Sequence, residues 1–553
     1  MSKAEVIVVP EPKSIEFKGK WLPFDGFANF PEFLSKEFNV PRGSWKVEEK
    51  DVKEGSGIAS ITIREGIVEV SGDPKIYYAT ILQLISQNRQ ALPEIQIEEE
   101  LQFKFRGFHL DVARGGVPTV DTLKAILRWL YILKYNYFAI YLEDLFPWDK
   151  YPDIGVQRGR YTNEEWNEVV DYGAKLGIEV FPSLELAGHM ENILMLPKYM
   201  RFSEWHRPSE GCLDVSDPEG RKFAEDLLVE ALKKTRSKYI HIGGDETWAL
   251  GRGKSLDKLG KFEGPRLYAE HHARLIELVK SHGKIPLLWG DMISGMYLRT
   301  TEREKWKDLL ERPIWREAII ANWDYSSNSL DYFLKKIALF KERGYEQVVC
   351  PGFSNWNRYY PDFDTALKNL ENFLTAARKE KVLGFLVTAW GDDGEECLFS
   401  FLYPLLVATM EYAEGNGKWE EKWIKLSGED PKVFEIRKLF GRSEIANFIK
   451  PVLFRPLDEV KNLPIYKTWR EALEKAKDIV LPKDLEFIRR CLEVGLRKVE
   501  GTITVADYLG LASIYADLWL SERKPNGLER VYARFWSAAS QIELMHKLRR
   551  SST

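Results

Sequence analysis

The sequence predicts an α/β protein built on a TIM (β/α)8 barrel, with a small α+β domain before it and an α-helical domain after it. Three observations carry that expectation. From Phe105 to about Tyr412, short apolar runs alternate with helical stretches, and eight of the runs read as strands. The ends of those runs carry acids and tryptophans, as they do where a barrel's strands pass into its functional loops. No G-x-G-x-x-G follows the first run, which argues against a doubly wound sheet.

In chain order, residues 1–100 read as the small α+β domain. "ASITIREGIVEVSG" (59–72) alternates like a hairpin around Glu65-Gly66, and "PKIYYATILQLISQN" (74–88) has helical spacing. Residues 101–412 are the barrel. Its strands are expected at Phe105–Asp111, Tyr137–Glu143, Ile178–Leu184, Tyr239–Gly243, Ile285–Trp289, Ile319–Trp323, Gln347–Pro351 and Gly384–Ala389. Between them, Thr162 with Glu165 forms a capping box. Asp217 is an N-cap with proline at the next position. Residues 413–553 turn helical, with amphipathic stretches such as "DLEFIRRCLEVGLRKVEG" (484–501). Such a region can cap the barrel or pair two copies as a homodimer.

The chain has 553 residues, 44% of them hydrophobic and 30% charged, and a net charge of −4. That balance argues against a nucleic-acid partner. No apolar run approaches membrane-spanning length, and the N-terminal run Val6–Val9 is too short for a signal peptide or an anchor. The four cysteines are dispersed, without a C-x-x-C pair, so a reducing, cytoplasmic location is expected. The 18 Trp, 24 Tyr and 29 Phe suit cores and sugar faces alike.

The fourth expected strand runs into "YIHIGGDETW" (239–248), where two glycines precede Asp245 and Glu246. An isolated Asp-Glu pair is usually solvated surface charge. Here the other strand ends agree with it: Arg114, Glu143-Asp144, Glu185 with His189, Trp289 through Asp291, Trp323-Asp324, Asn355-Trp356 and Trp390 through Asp393. Carboxylates among indoles suit a sugar, whose apolar ring faces stack on aromatics while its hydroxyls bind acids and arginine. Taken singly, each tryptophan reads as core, whereas a rim salt bridge for Arg114 and a satisfied structural role for His189 are the lesser alternatives. Trp129 and Trp166 fall on helical periodicity and read as packing.

"HIGGDE" (241–246) resembles the H-x-G-G-D-E motif of glycoside hydrolase family 20, the β-N-acetylhexosaminidases. "FRGFHLDVARGGVPTVDTLKAILRWLYILKYNYFAIYLED" (105–144) is similar to that family's first βαβ unit. The resemblance implies an exo-acting hydrolase that releases terminal β-linked N-acetylhexosamine by substrate-assisted, retaining catalysis, with no cofactor and no metal. It implies Glu246 as general acid/base and Asp245 as the group aligning the substrate's acetamide. Arg114 would hold the terminal sugar's 3- and 4-hydroxyls, and Asp392 the 4- or 6-hydroxyl. Asp144 and His189 would form a charge-tuning chain behind Glu246, and Trp289, Trp323 and Trp390 would wall the acetamide. Family members keep a tyrosine on the seventh-strand loop as donor to the acetamido carbonyl. Here 352–364 offers Asn355, Tyr359 and Tyr360, of which Tyr360 is taken as the substrate-binding candidate. The chain departs from the family at "YLEDLFPW", which keeps Asp144 but changes its neighbours.

Two other classes fit part of this pattern. A metal-dependent barrel hydrolase would use Asp144, His189, His241, Asp245 and Glu246, but no H-x-H follows the first strand. A non-catalytic sugar-binding protein would have no need of the proton donor that Glu246 supplies. The expected partner is a small oligosaccharide or glycoconjugate substrate.

Overall fold

The computed structural model describes residues 6–296, 298 and 300–551. Five strands form the N-terminal sheet: β1 (Ser14–Pro23), β2 (Lys46–Val52), β3 (Ile58–Arg64), β4 (Ile67–Gly72) and β5 (Ala91–Glu100), in the order β1-β5-β3-β4-β2. The hairpin at Glu65-Gly66 joins β3 to β4 in antiparallel register, Arg64 opposite Ile67. A helix, Pro74–Gln87, lies on this sheet; Asp73 caps its first turn, and Ile76 to Ile85 are buried.

The barrel closes from eight parallel strands: β6 (Phe105–Asp111), β7 (Tyr137–Tyr141), β8 (Glu179–Ser183), β9 (Tyr239–His241), β10 (Ile285–Trp289), β11 (Ile319–Trp323), β12 (Gln347–Cys350) and β13 (Gly384–Ala389). β13 closes on β6, with Gly384 opposite Phe105 and Ala389 opposite Leu110. Almost every strand residue is buried, because helices cover the outside and side chains fill the interior; hence the unbroken apolar runs in the sequence. Four strands occupy the expected residues; the others are shorter by one or two at an end. β9 stops at His241 because Gly243 and Gly244 take φ of 69° and 94° and leave the ladder.

The expected helix starts are present. Thr162 and Glu165 exchange both bonds of a capping box, worth about 1 kcal/mol, and Asp217 accepts from Glu219 N with Pro218 opening the helix. Trp166 is buried, and Trp129 stacks between Tyr403 and Trp423. Arg106 is buried at the opposite end of the barrel from the functional loops, donating to the carbonyls of Lys134 and Phe103. Beyond the barrel, helices from Trp419–Ser427 to Leu528–Ser551 form the C-terminal region. No helix among the described residues is long and apolar enough to cross a membrane.

Candidate active site

The two glycines after β9 answer why acids follow a dry strand. A Cβ on Gly243 would sit 2.3 Å from Glu185 Oε2, and one on Gly244 would sit 2.7 Å from His272 Nε2. Only glycine lets the chain turn through left-handed backbone this close to its neighbours. The turn lifts Asp245 and Glu246 to the mouth of the barrel. Tyr268 Oη donates to Gly244 O at 2.7 Å, and Glu246 N donates to Asp291 Oδ2 at 3.0 Å, which fixes the turn from β10's side. Glu246, His189 and Glu143 all have positive φ (47°, 48° and 42°), a strain that clusters at functional sites.

His189 joins the two acids. Its Nε2 lies 3.4 Å from Asp245 Oδ2 and 3.3 Å from Glu246 Oε2. Burial by itself would lower the His189 pKa; the Asp245 carboxylate and the bonds to both acids overcome it and hold the imidazolium well above its ordinary value. Asp245 is the complement: burial raises its pKa, but His189 and hydrogen bonds from His189 and Glu185 bring it below the ordinary value. Burial, and next the Asp245 charge, push Glu185 well above its ordinary value. Burial and Asp245 also raise Asp291 to about 7, and Trp323 Nε1 donates to it at 3.1 Å.

Opposite stands Arg114, on the loop after β6. It donates from Nε to Glu143 Oε1 at 2.8 Å and from Nη1 to Asp392 Oδ1 at 2.5 Å, with its guanidinium over the rings of Tyr141 and Trp390. The salt-bridge reading and the pocket reading of Arg114 are therefore both true. Between Arg114 and Glu246 lies a cavity of about 290 Å³. Arg114, Asp392, His189, Asp245 and Glu246 supply its polar wall; Trp323, Tyr325, Trp356 and Trp390 supply the aromatic one. A second cavity of about 730 Å³ meets the first at His189 and Glu246 and runs out past Trp248, which is 44% exposed.

Three expected residues lie elsewhere. Trp289 is fully buried against His241, His109 and Trp390, so it forms the layer under the cavity and not its wall. Tyr360 does not reach the cavity: it is buried, donates to Arg437 O at 3.1 Å and packs on Phe363 and Phe401. Tyr359 likewise faces the C-terminal region, among Phe454, Phe487 and Phe535, while Asn355 donates to Trp390 O. The tyrosine at the cavity is Tyr325, just past the end of β11, stacked on Trp323 and accepting from Trp390 Nε1 at 2.6 Å. A side chain on Gly352 would strike its ring at 2.5 Å, so that glycine makes its room.

Asp144 is the third. It is buried with its nearest cation, Arg158, at 3.4 Å, and burial lifts its pKa to about 7 although Arg158 opposes this. Glu143, one residue earlier, comes within 4.8 Å of His189 together with Glu191. The expected chain from Asp144 through His189 is therefore corrected: Glu143 stands behind His189 and also holds Arg114. Of the ligand set for a metal site, His189, Asp245 and Glu246 meet, but Asp144 lies beside Arg158, and His241 accepts from Gly243 N and lies against Trp289.

The family model for the catalytic domain of glycosyl hydrolase family 20 matches residues 103–414. A beta-hexosaminidase of Vibrio furnissii is 30% identical over 203 residues, covering 30% of this chain and 33% of that protein. Human hexosaminidase D is 24% identical over 304 residues, 52% of this chain and 60% of its own. The chain thus spans about a third of the length of the first relative. Among solved structures, an exo-β-N-acetylglucosaminidase of Vibrio harveyi with bound N-acetylglucosamine superposes with a TM-score of 0.60 at 16% identity, covering 79% of this chain and 78% of that one. A Flavobacterium johnsoniae chitobiase gives 0.59 at 17%, covering 93% and 98%. At these identities the structures speak for the fold.

Proposed function

The chain belongs to glycosyl hydrolase family 20, and from that premise we propose that it is an exo-acting β-N-acetylhexosaminidase. The observation that carries the reading is the pairing of Asp245 and Glu246 across one imidazolium, at the point where two cavities meet. A glycosidic oxygen beside Glu246 puts the terminal sugar in the smaller cavity and the leaving group in the larger. Arg114 and Asp392 close the smaller cavity at its far end, which limits cleavage to one terminal residue.

In this reading Glu246 protonates the leaving oxygen and later deprotonates water. Asp245, kept ionised by His189 and Glu185, accepts the acetamide N–H and offsets the positive charge that grows on the ring as the acetamido oxygen attacks the anomeric carbon. This family is an exception to the two-carboxylate scheme, so no enzyme carboxylate attacks carbon. Tyr325 is the donor to the acetamido carbonyl, with Trp323 and Trp390 around the methyl group. Two inversions give a β product.

Release of p-nitrophenol tests this. The β-N-acetylglucosaminide should be cleaved with the β-anomer appearing first by NMR, and the β-glucoside barely at all. Comparable cleavage of the glucoside would remove substrate assistance, and inertness to both would remove the function. Four buried, unpaired cysteines support the cytoplasmic reading. The exposed Leu520, Trp536 and Leu544 on the last two helices support a homodimer, which sedimentation at several protein concentrations tests.

A further inference from the structure

The family match ends at residue 414, yet the chain beyond it reaches the loop that carries Asp392. The geometry points to Lys450, Arg530 and Arg534 as positioning residues for the grip of Arg114 and Asp392 on the terminal sugar. The inference rests on the proposed role of that pair.

The loop after β13 is strained where it matters. Asp393, Gly394 and Glu395 follow Asp392 directly with φ of 64°, 116° and 56°. Two non-glycine residues in left-handed backbone persist only when their surroundings hold them. The surroundings are cationic and come from the C-terminal region. Asp393 takes Lys450 Nζ at 2.6 Å, Arg534 Nη2 at 2.7 Å and Arg530 Nη2 at 3.1 Å. Glu396, whose side chain is 1% exposed, pairs with the same Lys450 and Arg534. Tyr515 Oη donates to Glu396 O at 2.8 Å, and Arg523 Nη2 to Cys397 O at 2.6 Å.

The same helices hold the loop of Arg114. Lys524 N donates to Val117 O at 2.8 Å, and Thr119 N to Glu522 O at 3.0 Å. The Glu522 carboxylate also accepts from Phe399 N and Ser400 N. Segment 505–534 therefore touches both ends of the Arg114–Asp392 contact, and Lys450 joins it at the Asp392 end. The Glu396 carboxylate is buried, and although Asp393 is exposed it meets three cations at once, a network that fixes geometry better than an isolated surface pair. A shift of about 1 Å at a substrate-holding group can cost up to ~100-fold in rate. A solvated charged face would show none of this convergence on a strained loop.

The test uses the full chain with Arg534→Ala, Arg534→Lys and Asp393→Asn. Asparagine tolerates left-handed backbone as aspartate does, so Asp393→Asn removes the charge pairing without adding strain and guards against misfolding of the arginine variant. KM and kcat are measured on p-nitrophenyl β-N-acetylglucosaminide and its 4-epimer, the β-N-acetylgalactosaminide. Arg534→Ala and Asp393→Asn should each lower kcat/KM by roughly tenfold, mainly through KM, and bring the two sugars' kcat/KM values closer together. Arg534→Lys should restore part of both effects. A fall in melting temperature or kcat with KM and the sugar ratio unmoved overturns the positioning role. Failure of the unaltered chain to cleave either sugar overturns the underlying function and this inference with it.

Discussion

Tyr325→Phe tests the proposed recognition of the acetamide. The Tyr325 oxygen accepts from Trp390 Nε1 at 2.6 Å, so its own proton is the one left to donate. Burial holds the phenol well above its ordinary pKa, which keeps that proton in place at any working pH. Removing it deletes one neutral hydrogen bond to the acetamido carbonyl, about 1–1.5 kcal/mol, or roughly 5- to 15-fold in kcat/KM. The orphaned Trp390 N–H costs a further ~1–2 kcal/mol, but in stability, because free and bound enzyme both bear it. Tyr360→Phe is the matched control: it loses one bond to Arg437 O and should lower the melting temperature while kcat/KM stays within about twofold. The assay is steady-state hydrolysis of an aryl β-N-acetylglucosaminide beside thermal melts of both variants. A larger kinetic loss in Tyr360→Phe than in Tyr325→Phe would refute the assignment.

The other predictions follow from the same geometry. Glu246→Gln should cut kcat on ordinary aryl glycosides by about 10²–10⁴. Dinitrophenyl leaving groups should rescue it in part, and equal loss across all leaving groups would make Glu246 merely structural. Asp245→Asn should weaken binding of a thiazoline mimic of the cyclised intermediate as well as kcat. It should also shift the alkaline limb of the pH profile down, since Asp245 is the leading charge that raises His189; a covalent 2-fluoroglycosyl adduct on Asp245 would instead show a conventional nucleophile. For Asp144, with a folded pKa of about 7 against 3.8 unfolded, the native state holds the extra proton between those values, so stability falls as pH rises through that window. Asp144→Asn should remove that fall, worth roughly 4 kcal/mol above pH 7, and melts of both proteins from pH 4 to 8 should diverge accordingly.

What the sequence could show follows from which contacts are local. A parallel strand covered on both faces must be apolar throughout, and so the eight barrel strands stand out as runs. The acids and tryptophans at their ends share a face because the barrel brings all eight ends together; Arg114, His189, Asp245, Glu246, Trp323, Trp390 and Asp392 meet at one cavity for that reason. Of the three displaced residues, Trp289 lies in the layer beneath the cavity, while the places expected of Asp144 and Tyr360 are taken by Glu143 and Tyr325, each two residues on from an aromatic already at the site. Side chains of one strand share a face at i and i+2. Tyr141, the last residue of β7, and Glu143, just beyond it, both meet Arg114, while Asp144 turns toward Arg158. Trp323 at the cavity likewise selects Tyr325, two residues on, over any tyrosine of the next loop. Tyr359 and Tyr360 were beyond such reasoning, since their partners include Arg437, Phe454, Phe487 and Phe535, all in the C-terminal region. The charges on Asp393 and Glu396 were illegible for the same cause. Nothing within the loop distinguishes them from solvated acids; only the return of the chain at Lys450, Arg530 and Arg534 turns two surface-like carboxylates into anchors beside the sugar-binding pair.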